Sequence, residues 1–351
     1  MKSSPSAAPA AATQDRRMPT GARDGQAGGR PGASLLRRLV SAVLNRYATL
    51  LLLGLLVVVF SLATPKFLTA QNWQNLLVTQ SVVACLALAA ILPLVAGEFD
   101  LSLGYLVGVL AMLGAYLAKH GGGAAEVIAA MIAAGLLVGL INGVLTVYFK
   151  ISSFIATLGV GIILSGATLG LSNGQVLFSN IPTALTDLGK GQFLGVGTTV
   201  WLALVLAVAL LYVLEHTPFG RRLYAVGGSE RVAFLAGVRT GRVKIAAFAG
   251  AGLLVAIGAI FALGQSGAAN PGFGADLLLP AYAAAFLGVT TYRPGYYNVP
   301  GAIVAIVLLA VGFNGLNLLG APFWVQPIFN GAVLLLAVIT ARAESRHVKV
   351  G

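Results

Sequence analysis

The residues that could carry chemistry are few and scattered. His120, His216 and His347 stand far apart at loop edges and form no ligand cluster. Cys85, the one cysteine, lies in an apolar run, which excludes an internal disulfide and a thiolate metal site. No G-x-x-x-x-G-K-[ST] phosphate loop occurs, so the chain does not bind and split ATP in that way. H-E-x-x-H and a nucleophile elbow are missing too, so no catalytic residue, metal or cofactor is expected. What remains is Gly97-Glu98-Phe99-Asp100-Leu101-Ser102-Leu103-Gly104, two carboxylates between long apolar runs. Carboxylates at bilayer depth are costly unless paired or wetted. In one reading Asp100 or Ser102 caps the helix that follows and Glu98 sits in interfacial water. In the other, a broken helix lines a solute path, because irregular backbone at depth survives only beside water or inside protein.

A second unusual stretch must be positioned by its surroundings. Thr217 to Val238, T-P-F-G-R-R-L-Y-A-V-G-G-S-E-R-V-A-F-L-A-G-V, is the longest charged passage between apolar runs. Ser229 can cap a first helical turn, Glu230 suits the positive end of its dipole, and Gly237 can close it left-handed. A helix over 229–236 is too short to stand alone, so Phe234 and Leu235 should dock against something.

This stretch resembles the cytoplasmic coupling loop of the sugar-type ABC importer permeases, the family of the ribose, xylose and arabinose permeases. The resemblance implies that its short helix sits in a groove of an ATPase subunit, with Gly227, Gly228, Ser229, Glu230, Arg231 and Phe234 as docking residues. The 97–104 segment is similar to a second family signature, Gly-Gly-x-Asp-Leu-Ser-x-Gly. Glu98 stands there where glycine is usual, so the resemblance speaks for Asp100 more than for Glu98. Asn314-Gly-Leu-Asn-Leu-Leu-Gly-Ala-Pro-Phe-Trp324 resembles the family's closing signature. Between Gly288 and Gly301 the family has a glycine-rich turn, whereas here V-T-T-Y-R-P-G-Y-Y-N-V-P stands, which points to an altered inner gate.

Composition sets the class independently. Of 351 residues 58% are hydrophobic and 9% charged, too little polar surface to cover a soluble core. The net charge of +12 sits in tails and short loops, which argues against a nucleic-acid stripe. An all-α polytopic membrane protein is therefore expected. Residues 1–34 read as a disordered basic cytoplasmic tail and 35–46 as an amphipathic interfacial helix. A transmembrane permease domain follows over 47–341, with the coupling loop at 215–244, and a cytoplasmic tail over 342–351.

Ten spans are expected, at 47–63, 75–96, 101–118, 125–149, 153–172, 199–214, 245–264, 277–290, 300–318 and 323–341. The third, sixth and eighth are short for a crossing of about twenty residues. With ten spans the outside keeps only Lys66, Lys119 and Lys190 among basic residues, which places both termini in the cytoplasm. Gly139-Leu-Ile-Asn142-Gly143 closes the fourth span and Gly312-Phe-Asn314-Gly315 the ninth, an offset of five that makes the halves an inverted repeat. Asn142, Asn314 and Asn317, with Glu98, Asp100 and Ser102, are the candidates for the translocation path. Such asparagines also serve helix–helix contacts, and Gly135/Gly139 and Gly166/Gly170 read as close helix packing.

Together these observations predict a membrane permease subunit of type II ABC importer architecture for a sugar or sugar-like polyol. It is multi-pass in the bacterial cytoplasmic (inner) membrane, surrounded by lipid. The resemblance implies three partners: an ABC ATPase subunit, a periplasmic or extracellular solute-binding protein, and a second permease chain in a homo- or heterodimer. The rival is a self-contained carrier with Glu98 or Asp100 as its proton or cation site.

Overall fold

The structure, a computed structural model, describes residues 49–348, with side chains through 339, all within the compact unit Ala42–Gly351. The tail expected at 1–34 and the helix expected at 35–46 lie outside the described residues. Among these residues the fold is helical, with one two-stranded hairpin, Gln192–Phe193 against Val196–Gly197. Leu194 and Gly195 both take positive φ at its turn, as the twist of a two-residue loop requires.

The described part of α1 is Thr49–Ala63. Then follow α2 (Ala70–Val95), α3 (Leu103–Lys119), α4 (Ala124–Val147), α5 (Ser153–Ser172), α6 (Thr183–Lys190) and α7 (Thr198–His216). The second part holds α8 (Pro218–Gly228), α9 (Glu230–Leu235), α10 (Thr240–Ser266), α11 (Leu278–Gly288), α12 (Val299–Leu318) and α13 (Val325–Val348). Six of them, α2, α4, α5, α7, α10 and α12, are long and apolar enough to cross a membrane. The apolar helices α1, α3 and α11 and the apolar part of α13 are shorter.

Helix α2 is the centre, with every residue from Ser81 to Val95 buried. A helix apolar all round belongs inside. Helix α10 packs on α2 and α4, and its seam with α4 is backbone against backbone. A Cβ added at Gly252 would stand 2.1 Å from the Gly135 carbonyl oxygen, and one at Gly139 2.3 Å from that of Phe248. The close packing expected at Gly135/Gly139 is thus present, whereas Gly166 and Gly170 meet nothing within 4 Å in this chain. Helices α5 and α7 show most of their apolar surface.

Two helices were not expected. Thr217 caps α8 by accepting from the Gly220 N–H at 3.3 Å, with Pro218 at the first helical position where its missing N–H costs nothing. Helix α6 stands inside what reads as a long polar loop, its Gly189 close against Gly264 of α10. Helix α13 runs through Ala341 into the stretch expected as a tail.

Candidate functional site

The link between α2 and α3, residues 96–102, has a complete account of its backbone donors. Gly97, at φ +82, reverses the chain, and its N–H bonds to the Leu94 carbonyl while that of Glu98 bonds to Pro93. The Phe99 N–H donates to Ser153 Oγ (3.1 Å) and the Leu101 N–H to Thr157 Oγ1 (2.9 Å), both in the first turns of α5. The Tyr282 hydroxyl of α11 accepts from the Asp100 N–H and donates to the Asp100 carbonyl. A buried loop holds its shape only when such groups are paired.

Asp100 is only 1% exposed and anchors a polar node. Its Oδ1 accepts from the Ser102 N–H (3.0 Å) and Ser102 Oγ (2.6 Å). Asn142 Nδ2, from α4, donates to Asp100 Oδ1 (3.2 Å) and to Ser102 Oγ (2.8 Å). Buried Asn142 Oδ1 has no partner among the described residues. Asp100 lies outside both flanking spans, and burial pushes its carboxyl up to about 6 against the downward pull of the Ser102 and Asn142 hydrogen bonds. Ser102 stands at the N-cap position of α3 but makes no capping bond; the Asp100 carboxylate takes the Ser102 N–H instead. Asp100, Ser102 and Asn142 are all buried, so none meets a solute in this conformation.

Two residues before Asp100, Glu98 faces the basic loop. Lys244 Nζ, in the first turns of α10, lies 2.7 Å from Glu98 Oε1 and 2.6 Å from Glu230 Oε2. Side chains of Lys244 and Glu98 are 12% and 15% exposed, that of Glu230 51%. Glu230 opens α9, whose Ser229 cap accepts from the Val232 N–H at 3.4 Å and whose exit passes through Gly237 at φ +83. Ala233 anchors α9, while Val232, Phe234 and Leu235 stay exposed, Phe234 at 65%. An open cleft of about 660 Å³ borders this triad and is also lined by Lys150 and Ser152.

Gly227 lets α8 reach the end of α2, since a Cβ there would stand 1.8 Å from the Val95 carbonyl oxygen. Gly228 beside it meets nothing within 4 Å, and Arg231 is exposed. The 289–300 loop is fastened to α8: Tyr224 Oη donates to the Tyr297 carbonyl (2.7 Å), and Arg293 stands over the Tyr224 ring and 3.8 Å from Glu215. Burial pushes the Tyr224 phenol up to about 12, with Arg293 pulling it down and Glu215 pushing it up. Buried Asn298 holds the loop from within, its Nδ2 close to the Gly288, Thr291 and Tyr296 carbonyls and its Oδ1 accepting from the Gly301 N–H.

The remaining candidates lie elsewhere. Asn314 of α12 exchanges hydrogen bonds with Asn72 in the first turn of α2 (2.9 and 3.0 Å), and Asn317 is exposed near the end of α12. The structure therefore brings Glu98 and Glu230 together, joins Asp100, Ser102 and Asn142 in one node, and keeps Asn314 and Asn317 apart from both. Lys244 was missed as a site residue; in the sequence it counts only as one more basic residue ending a loop.

Apolar helices, a fastened basic loop and a capped short helix define a membrane permease architecture. Residues 72–338 match the family model described as branched-chain amino acid transport system / permease component. The chain belongs to this permease family and is a multi-pass membrane protein. It is similar to the ribose import permease protein RbsC of Escherichia coli K12, 33% identical over 86% of this chain and 95% of that protein. It is also similar to the L-arabinose ABC transporter permease protein AraH of Azospirillum brasilense, at 30% over 85% and 87%. The xylose transport system permease protein XylH of Haemophilus influenzae is 29% identical over 86% and 97%. No solved structure matches.

Proposed function

We propose that the chain is the transmembrane subunit of an ATP-driven importer for a sugar or sugar-like polyol, with hydrolysis carried out by a separate ATPase. The names of the relatives support the solute class and the kind of machine. The observation that carries the coupling is the Glu230–Lys244–Glu98 triad, a direct link from the exposed short helix to the buried link before α3. In this reading α9 and its flanks, Gly227 to Arg231 and Phe234, dock on the ATPase. Closure of the ATPase displaces α9, Lys244 carries the displacement to Glu98, and the Asp100 node shifts α3 and α5 to switch access.

A solute-binding protein delivers the solute on the opposite side, and a second permease chain, identical or not, completes the path within the lipid of the bacterial inner membrane. Ten helices cross, the four short apolar ones included, with both termini in the cytoplasm. Pairing at the two ends of α2 supports the inverted repeat: Asn142 of α4 binds the link after its end, and Asn314 of α12 binds Asn72 near its start.

The test is purification of the chain from its native membrane, followed by uptake in proteoliposomes. An ATPase and a solute-binding protein should travel with it, and accumulation should require ATP. Accumulation without nucleotide that collapses with an ionophore would refute the reading.

A further inference from the structure

Helix α11 is short because the chain before it does not cross the membrane as a helix. After α10 ends at Ser266, Ala269 pairs with Leu177 through two backbone bonds (3.0 and 2.8 Å), and the chain turns and descends beside α3. Gly104 and Gly108 of α3 admit it: a Cβ at Gly108 would stand 2.3 Å from the Phe273 carbonyl oxygen, and one at Gly104 2.8 Å from that of Gly274.

Two rulers give its depth. Leu110 of α3 reaches Gly135, which meets Gly252 near the middle of both α4 and α10, and Gly108 lies within a turn of Leu110. From the other side, Gly288 at the foot of α11 touches Gly301 in the first turn of α12. Asp276 stands roughly 18 Å above that contact at the rise of a helix. The first puts Phe273 near mid-height of the apolar slab and residues 274–275, against Gly104, about 9 Å nearer the start of α3 than Leu110; the second keeps Asp276 inside the slab.

Asn270, in the irregular stretch, and Asp276, in the 3-10 turn Ala275–Leu277 that leads into α11, are both exposed. Among the described residues the Asp276 carboxylate accepts only the Gly274 N–H (3.3 Å) and has no ion pair. Asn270 Oδ1 accepts only the Gly272 N–H. An unpaired carboxylate facing acyl chains at this depth is strongly disfavoured, and broken backbone is tolerated there only inside protein or beside water. We propose that Asp276 and Asn270 line the water-filled solute path and hydrogen-bond the hydroxyl groups of a polyhydroxylated solute. A carboxylate accepts from two neighbouring hydroxyls at once, and an amide both donates and accepts, the pattern a vicinal diol presents. The nature of the solute rests on the importer reading; the contact with water does not.

The lone native cysteine makes the test direct. Asn270→Cys and Asp276→Cys, in a Cys85→Ala background and in proteoliposomes, are treated with a charged, membrane-impermeant methanethiosulfonate. Both should label, buried Cys85 of the natural chain should not, and at least one of D-ribose, D-xylose and L-arabinose should slow the labelling. Asp276→Asn, which keeps the shape should the cysteine variant misfold, should raise the KM for the protective sugar more than it lowers the maximal rate. No labelling at either position in folded protein overturns the proposal. So does labelling that none of the three sugars slows, or an unchanged KM in Asp276→Asn. Failure of the importer reading shows separately, as uptake independent of nucleotide, and leaves the labelling result standing.

Discussion

The Tyr282 hydroxyl closes a ring on the backbone of Asp100, accepting from its N–H and donating to its carbonyl, each at 2.9 Å. One phenol from α11 thus satisfies both polar groups of a buried residue in the α2–α3 link. Tyr282→Phe leaves the two groups orphaned with almost no change in volume. The expected loss is about 1–3 kcal/mol of stability, read as a lower melting temperature of the purified chain. An unchanged melting temperature would mean that water or a shift of the link replaces the phenol.

Lys244 holds two carboxylates, and its removal leaves them facing each other. Lys244→Met should lower uptake about fivefold or more, the scale of a lost coupling energy, while the ATPase still co-purifies. Phe234→Asp, on the exposed face of α9, should instead abolish co-purification. If both variants lose the ATPase, Lys244 belongs to docking and not to transmission.

Gly227 and Gly228 are adjacent and should behave oppositely. Gly227→Ala drives a Cβ into the Val95 carbonyl, which is backbone and cannot swing aside. Overpacking of this kind costs about 1–3 kcal/mol. Gly228→Ala has open space and should stay within about 0.5 kcal/mol of the parent. Thermal unfolding of the two variants side by side decides it, and equal effects would contradict the close approach of α8 to α2.

Asp100 gives the fold a dependence on pH. Its carboxyl sits at about 6 in the folded chain, above the ordinary value of about 3.9. The folded state therefore binds this proton more tightly than the unfolded one. The resulting stability is full below the ordinary value and is lost as pH rises through the folded one. Asp100→Asn keeps an acceptor for Ser102 but cannot titrate, so its melting temperature should fall less than the parent's between acid and neutral pH. Parallel slopes would remove Asp100 as the source.

What the sequence discloses is what local chemistry decides. Helix α5 begins at Ser153 and ends at Ser172 as its apolar run predicts, and the Ser229 cap and the left-handed Gly237 follow from residue type alone. Helix α8 is absent from the expectation because its basic residues, between apolar runs, resemble a loop, although Thr217 caps it and Pro218 opens it. The descent of 267–277 was not, because its backbone is accommodated by Gly104 and Gly108 of a distant helix. Glu98 reads as a stray carboxylate until Lys244 and Glu230, both far along the chain, arrive beside it. Tyr296 and Tyr297 of the 289–300 loop likewise gain meaning only from Tyr224, which they contact.

The glycine seam between α4 and α10 also limits what can move. With main chains in direct contact at Gly135, Gly139 and Gly252, no side chains lie between them to act as bearings. The pair should travel as a single strut, so any rearrangement that opens one face and shuts the other falls to the helices around it, α3 and α5 among them.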